Sequence, residues 1–175
     1  VLLFLDIGGS MDDHIRVCEQ LFSAARLEFK HLEYFYFHNF LYERVWKDNR
    51  RRSAEKLSTW DVLHTYPHDY KVIFVGDATM SPYEITYPGG SVEHWNEEAG
   101  EVWMHRLLDH FKHSVWLNPV PERHWDYTPS RQGKFFREKM QQLNTGASAP
   151  VRCARRKPLR GDCSAATCRR CRSAN

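Results

Sequence analysis

Cysteine is scarce in most of this 175-residue chain. Four of its five cysteines lie after residue 150, and only Cys18 lies before it. A disulfide framework is therefore excluded for the first 145 residues. Cys18 falls on the apolar face of a predicted helix. Because a single buried thiol is typical of a reducing compartment, we expect a cytoplasmic protein.

Long apolar runs and phosphate-binding loops are missing as well. No apolar run approaches the roughly 20 residues that a membrane-spanning helix requires. The glycine-rich stretch 87–100 contains no Gly-Lys-Ser/Thr, so it is not a P-loop. We therefore expect neither membrane insertion nor nucleotide binding of the P-loop type.

The positive charge of the chain is concentrated at its end. Residues 146–175 hold eight of the 25 Lys and Arg residues and one of the 22 acidic residues, a balance of +7. Residues 1–145 carry the other 17 basic and 21 acidic residues, a balance of −4, and give no electrostatic reason to bind nucleic acid. We predict a folded domain over 1–145 and a disordered basic Cys/Arg-rich tail over 146–175. Zinc or nucleic-acid binding by this tail is a minor alternative.

Two apolar stretches of the sequence each end in an aspartate. Residues 1–11, VLLFLDIGGSM, form a predicted buried strand that ends at Asp6 and is followed by a tight loop with Ser10. Residues 71–78, KVIFVGDA, form a second such strand, which ends at Asp77. In a parallel sheet, ligands bind at the carboxyl ends of the strands. If the two strands are neighbours, two carboxylates and a hydroxyl converge, and such hard oxygen donors suit Mg²⁺.

Alternating strand and helix patterns predict the fold class. We expect helices over 13–30 and 101–113, strands over 71–76 and 114–117, and a last helix near 132–143. The aromatic-rich stretch 33–46 predicts a hairpin or bent strand pair that adds an antiparallel edge strand, with Asn39 in its turn. The prediction is an α/β protein with a Rossmann-like, mostly parallel sheet and helices on both faces.

The loop at the first strand end resembles a known metal motif. Residues 6–10, DIGGS, are similar to the first loop of a von Willebrand factor A domain, whose motif is Asp-x-Ser-x-Ser. Asp77 resembles the aspartate of that motif's third loop, and Thr59 resembles its threonine. The stretches DIGGSM, YFHN, VGDATMSPYE and VWLNPVP are most similar to the CoxE-like branch of this family. One departure is Gly8, which stands where the motif has its middle serine.

The resemblance implies a function as well as a fold. It implies a von Willebrand A fold, truncated at both ends, and a Mg²⁺ or Mn²⁺ ion held by Asp6, Ser10, Thr59 and Asp77. One coordination position would stay open for a carboxylate from a protein partner. For the CoxE-like branch, the implied partner is a MoxR-type AAA+ ATPase, and the pair would act like a chaperone in maturing a metalloenzyme. No catalytic residue is required.

Two alternatives arise from the residues themselves. A strand-end aspartate with Mg²⁺ also describes a phosphotransferase or phosphatase, but the second acid of such enzymes would fall at Gly8, which cannot donate a proton. Thr59 has a second interpretation, because either Ser58 or Thr59 could cap a short helix through His64. At this level the choice between cap and metal ligand stays open.

Overall fold

The computed structural model describes residues 1–50, 53–127 and 140–142 of the chain. Its elements form a seven-stranded sheet with four α-helices in this part of the chain. The strands are β1 Leu2–Asp6, β2 Glu33–Phe37, β3 Arg44–Trp46, β4 Lys56–Ser58, β5 Lys71–Val75, β6 His113–Asn118 and β7 Met140–Gln142. The helices are α1 Ile15–Glu28, α2 Thr59–Thr65, α3 Pro82–Thr86 and α4 Gly100–His110. Short 3₁₀ turns occupy Gly9–His14, Ser53–Glu55 and Glu122–Tyr127.

The sheet is mostly parallel, in the order β4-β3-β2-β1-β5-β6-β7. β1 pairs in parallel with β2 and β5, β5 with β6, and β6 with β7. Antiparallel pairing occurs at one edge, where β3 runs against both β2 and β4. The predicted α/β class and mostly parallel sheet are confirmed.

The central strand β1 explains why the sheet has two apolar faces. All five of its residues are buried, as expected for a strand with neighbours on both sides. Leu2 and Phe4 belong to the larger core, whereas Leu3 and Leu5 belong to a smaller core on the other face. Side chains of α2 and α4 pack into the larger core, and α1 covers the smaller one. Helices therefore flank both faces.

Local details differ from the sequence prediction at three places, the first of them in the apolar stripe of the predicted helix 13–30, which begins at Ile15. Ile15, expected on the buried face of the first helix, is 53% exposed. The helix predicted from residue 13 begins at Ile15, because Gly9–His14 form a 3₁₀ turn whose three residues per turn shift the phase of the side chains that follow. The strand β4 was not predicted, since its three residues are too few to show a periodic pattern.

The last helix, predicted near 132–143, is replaced at its end by β7, where residues 140–142 pair with β6. The rest of that prediction lies outside the described residues, as do the basic tail and its four cysteines. No helix in the described ranges has both the length and the apolar character of a membrane span.

Candidate functional site

The two strand-end aspartates lie at the same end of neighbouring strands. β1 ends at Asp6, and Gly76 and Asp77 directly follow β5, its parallel neighbour. Asp6 is 5% exposed and Asp77 is 3% exposed. A Cβ atom on Gly76 would lie 3.1 Å from the Asp6 Cβ and 2.8 Å from the Trp116 ring. Only glycine therefore lets the Asp6 side chain approach the β5 backbone this closely. This close approach is needed if Asp6 and Asp77 are to converge as the sequence predicts.

A chain of hydroxyl groups connects Ser10 with Asp77. Ser10 Oγ lies 2.8 Å from Thr79 Oγ1, and the Thr79 hydroxyl donates to Asp77 Oδ1 at 2.9 Å. The Thr79 main-chain N–H also donates to Asp77 Oδ1, at 3.1 Å. We call Asp6, Ser10, Asp77 and Thr79 the oxygen cluster. Thr79 was missed at the sequence level, although its position two residues after a strand-end aspartate is typical of a side-chain turn.

Asp6 is fixed from the other side by Asn39, which follows β2. The Asn39 main-chain N–H donates to Asp6 Oδ1 at 2.8 Å, and its side-chain amide donates to Glu84 Oε1 at 2.6 Å. Glu84 is itself held, because its Oε2 accepts the Ser81 N–H at 2.8 Å in the capping box of α3. Asn39 has φ of 57°, which confirms its predicted turn conformation. The spacing Ser81-x-x-Glu84 is typical of a capping box, but nothing in the sequence indicates the bond between Glu84 and Asn39.

Strand β6 holds the backbone beneath Asp77. The Trp116 indole N–H donates to the Gly76 carbonyl, and the Asn118 amide donates to the Asp77 carbonyl, each at 2.8 Å. Ala78, the next residue, is buried and has φ of 57°, a conformation that costs about 1–2 kcal/mol for a residue with a Cβ. These bonds hold the chain in the turn that directs Asp77 toward Thr79.

The electrostatics of the site favour a cation. Burial raises the pKa of Asp6 well above its usual range, and the nearby carboxylates of Asp77 and Glu84 raise it further, against the hydrogen bond from Asn39. None of the described Lys and Arg side chains forms an ion pair with these three acids. Two adjacent buried carboxylates without a basic partner in the described part of the chain are costly to ionise together.

The loop after β1 requires glycine at position 8. Gly8 has φ of 87° and ψ of 173°, a combination that is essentially restricted to glycine, and Gly9 also has a positive φ, of 56°. A serine at position 8 would therefore be strained. In this loop Ser10 supplies the hydroxyl group, and Gly8 supplies the backbone conformation that the turn requires.

Thr59 lies at the same end of the sheet but in a separate set of contacts. Ser58, not Thr59, caps α2, since Ser58 Oγ accepts the Trp60 N–H at 3.2 Å. The fully buried Thr59 hydroxyl donates to the Tyr42 carbonyl at 2.6 Å. Tyr42 in turn donates from its phenol to the Glu84 carbonyl at 2.9 Å. Thr59 is thus connected to Asp6 only indirectly among these contacts, through Tyr42, Glu84 and Asn39.

The donor chemistry fits a hard divalent ion. Two carboxylates and two hydroxyls supply the oxygen ligands that Mg²⁺ and Mn²⁺ prefer. Within the described ranges there is no group of three or more His, Cys, Asp or Glu side chains placed to hold a metal ion. Ser10 and Thr79 add hydroxyl oxygens to the two carboxylates.

A cavity of about 500 Å³ opens beside Asp6. Its walls come from the end of β1, the first turn and α1, and their apolar members include Met11, Ile15, Cys18 and Phe22. The carboxyl groups of Asp12 and Glu19 add negative charge. Burial raises the pKa of the Cys18 thiol to about 11, so this free thiol stays protonated at neutral pH. The cavity can therefore take an apolar group next to the oxygen cluster.

Comparison with known proteins returned no match: no family model, no curated protein and no solved structure is significantly similar to this chain.

Proposed function

We propose that this chain is a metal-ion-dependent protein interaction module of the von Willebrand A type, in its CoxE-like branch. The observation that carries the proposal is the hydrogen-bonded connection from Ser10 through Thr79 to Asp77, beside the buried Asp6 carboxyl. These groups come from two loops 69 residues apart in sequence, yet they meet at one end of neighbouring parallel strands. A capping role for each aspartate alone would not require the two loops to meet.

Each residue would contribute to ion binding in a different way. Asp6 and Asp77 supply negative charge, and Ser10 and Thr79 supply neutral oxygens. Thr59 is a further candidate ligand, because its hydroxyl oxygen keeps its lone pairs when its proton is donated to the Tyr42 carbonyl. Bound Mg²⁺ or Mn²⁺ would supply a positive centre able to take a carboxylate from a partner. Asn39 keeps Asp6 in place by its main-chain N–H, and β6 does the same for the backbone at Asp77.

The cavity beside Asp6 supports a protein rather than a small anion as the partner. An acidic side chain on the ion would place its neighbouring residues near Met11, Ile15 and Phe22, where an apolar side chain can be buried. From the resemblance we propose a MoxR-type AAA+ ATPase as the partner, in chaperone-like maturation of a metalloenzyme. The proposed setting is the cytoplasm, where the Cys18 thiol stays reduced.

A phosphotransferase function is the weaker alternative. Asp6 is almost fully buried and accepts a hydrogen bond from Asn39, which is a poor state for a nucleophile. Gly8 occupies the position of the acid that would protonate a leaving group. We accordingly propose that the module is not an enzyme.

The test is calorimetric titration of the full chain with MgCl₂ and with MnCl₂. We expect saturable binding that is lost in Asp6→Ala and weakened about tenfold or more in Ser10→Ala and Thr79→Val, with Ser23→Ala on α1 as the matched control. A purified MoxR-type ATPase should then bind in the presence of Mg²⁺ and dissociate on addition of EDTA.

Two results would contradict the proposal. Absence of ion binding, both alone and with the ATPase present, would leave the aspartates as structural residues. Hydrolysis of p-nitrophenyl phosphate that disappears in Asp6→Asn would establish the enzyme instead.

A further inference from the structure

A second cavity lies between the sheet edge and the start of α4, away from the oxygen cluster. Its volume is about 280 Å³, slightly below the roughly 300–1,000 Å³ of drug-sized pockets, so it suits a small head group. We call it the tryptophan cavity. Two indoles, three glutamates and one arginine line it: Trp95, Trp103, Glu43, Glu97, Glu98 and Arg44.

The charges around the tryptophan cavity, counted with the adjacent His94 neutral, leave a negative surplus. Three carboxylates face two guanidinium groups: Arg44 in the wall, and Arg106, whose two terminal nitrogens both bond to Glu98. The Arg106 hydrogen bond lowers the pKa of Glu98, which stays ionised at neutral pH. One positive charge on a ligand would balance this set.

Two polar atoms in these walls have no hydrogen-bond partner among the described residues. Trp103 is 3% exposed and its indole N–H is buried without an acceptor. Glu43 Oε2 is buried without a donor, while its other oxygen lies 3.1 Å from His94 Nε2. Leaving such groups unpaired costs about 1–3 kcal/mol each, which a ligand with a positive group and an acceptor oxygen could recover.

The aromatic walls suit a cation as well. Trp95 is 75% exposed and presents an indole to solvent at the cavity. Two indoles in this region already form cation–π contacts. The Arg106 guanidinium lies 4.5 Å from the centre of the Trp103 ring and 4.8 Å from that of Trp60. Tryptophan is the strongest aromatic partner for an alkylammonium group.

From this geometry we propose that the tryptophan cavity binds a small organic monocation, an alkylammonium group with a nearby hydroxyl or carbonyl oxygen. The positive group would lie against Trp95 and the Glu43 and Glu97 carboxylates. The oxygen would accept the Trp103 indole N–H. This binding site is independent of the metal-dependent interaction proposed above.

Choline is the probe for this proposal, titrated into the full chain with its indole ¹⁵N–H signals observed by NMR. The six tryptophan signals are assigned by single Trp→Phe variants. We expect saturable shifts of the Trp95 and Trp103 signals with choline chloride at constant ionic strength. The neutral isostere 3,3-dimethylbutan-1-ol should give none. Tetramethylammonium, which keeps the charge but lacks the oxygen, should bind at least threefold more weakly.

Variants locate the binding. Glu43→Gln/Glu97→Gln and Trp95→Ala should each weaken choline binding about tenfold. Glu28→Gln, which removes one carboxylate from α1 on the other face of the sheet, should leave it unchanged. Because Trp95 is largely exposed, its variant should fold even if the double variant does not.

Three outcomes would overturn the proposal. They are the absence of a saturable shift with choline, equal binding of the neutral isostere and choline, and full choline affinity in Trp95→Ala. Equal affinities for choline and tetramethylammonium would show that a hydrogen bond to Trp103 does not contribute to binding.

Discussion

The main-chain N–H of Asn39 donates a 2.8 Å hydrogen bond to the carboxylate of Asp6, so the residue that follows β2 fixes the side chain that ends β1. The same asparagine binds Glu84 through its side-chain amide. Asn39 thereby joins two buried acids that would otherwise repel each other. Its left-handed conformation, with φ of 57°, is what lets its main chain and its side chain bond to different acids.

Replacement of Asn39 should separate its two contributions. Asn39→Gly removes the hydrogen bond to the Glu84 carboxylate and should lower the free energy of unfolding by about 1.5–3 kcal/mol. Asn39→Ala loses the same hydrogen bond but keeps a Cβ at a positive φ, so it should be about 1–2 kcal/mol less stable than Asn39→Gly. Urea unfolding at pH 7 measures both. Equal stabilities of the two variants would mean that the left-handed conformation is not retained.

Asp6→Asn should have opposite effects on the ion-free and ion-bound protein. Because the folded pKa of Asp6 lies above its usual value of 3.8, the folded state binds the proton more tightly than the unfolded chain does. The stability of the ion-free protein should therefore fall as the pH rises from about 4 through the folded pKa. The amide, which cannot ionise, should make the ion-free protein more stable at pH 7 and should remove this part of the pH dependence.

The same variant should lose stabilisation by metal. Mg²⁺ at one hundred times its dissociation constant should stabilise the natural protein by about 2.7 kcal/mol and leave Asp6→Asn unchanged. Thermal unfolding from pH 4 to pH 8, with EDTA or with MgCl₂, provides both readouts. If Asp6→Asn were less stable than the natural protein at pH 7 in EDTA, a buried ionised Asp6 would have to be stabilising.

Restoring the metal motif should not improve the site. Gly8→Ser supplies the missing hydroxyl, but φ of 87° with ψ of 173° should cost a residue with a Cβ about 1–3 kcal/mol of stability. Gly8→Ala is the matched control, with the same backbone cost and no hydroxyl. Equal Mg²⁺ affinities of the two variants are expected in calorimetry. Tighter binding by the serine variant would show that the loop can adapt to use the hydroxyl.

Thr59 should contribute to both stability and ion binding. Thr59→Val deprives the buried Tyr42 carbonyl of its donor and should lower the free energy of unfolding by about 1–3 kcal/mol. We expect about tenfold weaker Mg²⁺ binding as well, and recovery of both properties in Thr59→Ser. A Thr59→Val variant that is destabilised but binds Mg²⁺ normally would limit Thr59 to its bond with Tyr42.

The sequence predicted those features that arise from apolar runs and from chain direction. β1 and β5 were evident because each is a short buried run that ends in aspartate, and the parallel arrangement then brings Asp6 and Asp77 to the same end of the sheet. The α3 start was also predictable from Pro82, which occupies the first turn behind the Ser81 cap.

The remaining features depend on contacts between residues far apart in the chain. Nothing near Thr79 indicates that its hydroxyl lies 2.8 Å from Ser10, and nothing near Glu84 indicates that it binds Asn39. β4 escaped prediction because its three residues are paired only through the β3 register. Hydrogen bonds between distant loops have no periodic signature, so the identity of these partners required the fold.

The backbone at the two aspartates is held by strands, whereas their carboxyl groups are bonded by loop residues. Asp6 belongs to β1, Asp77 follows β5, and Trp116 and Asn118 of β6 bind the backbone at Gly76 and Asp77. The spacing of the carboxyl groups therefore depends on the register of three adjacent strands. Engineering this arrangement into another α/β scaffold would require all three strands, including the hydrogen bonds from Trp116 and Asn118. The loops after β1, β2 and β5 would have to be carried over as well, because they supply Ser10, Asn39 and Thr79.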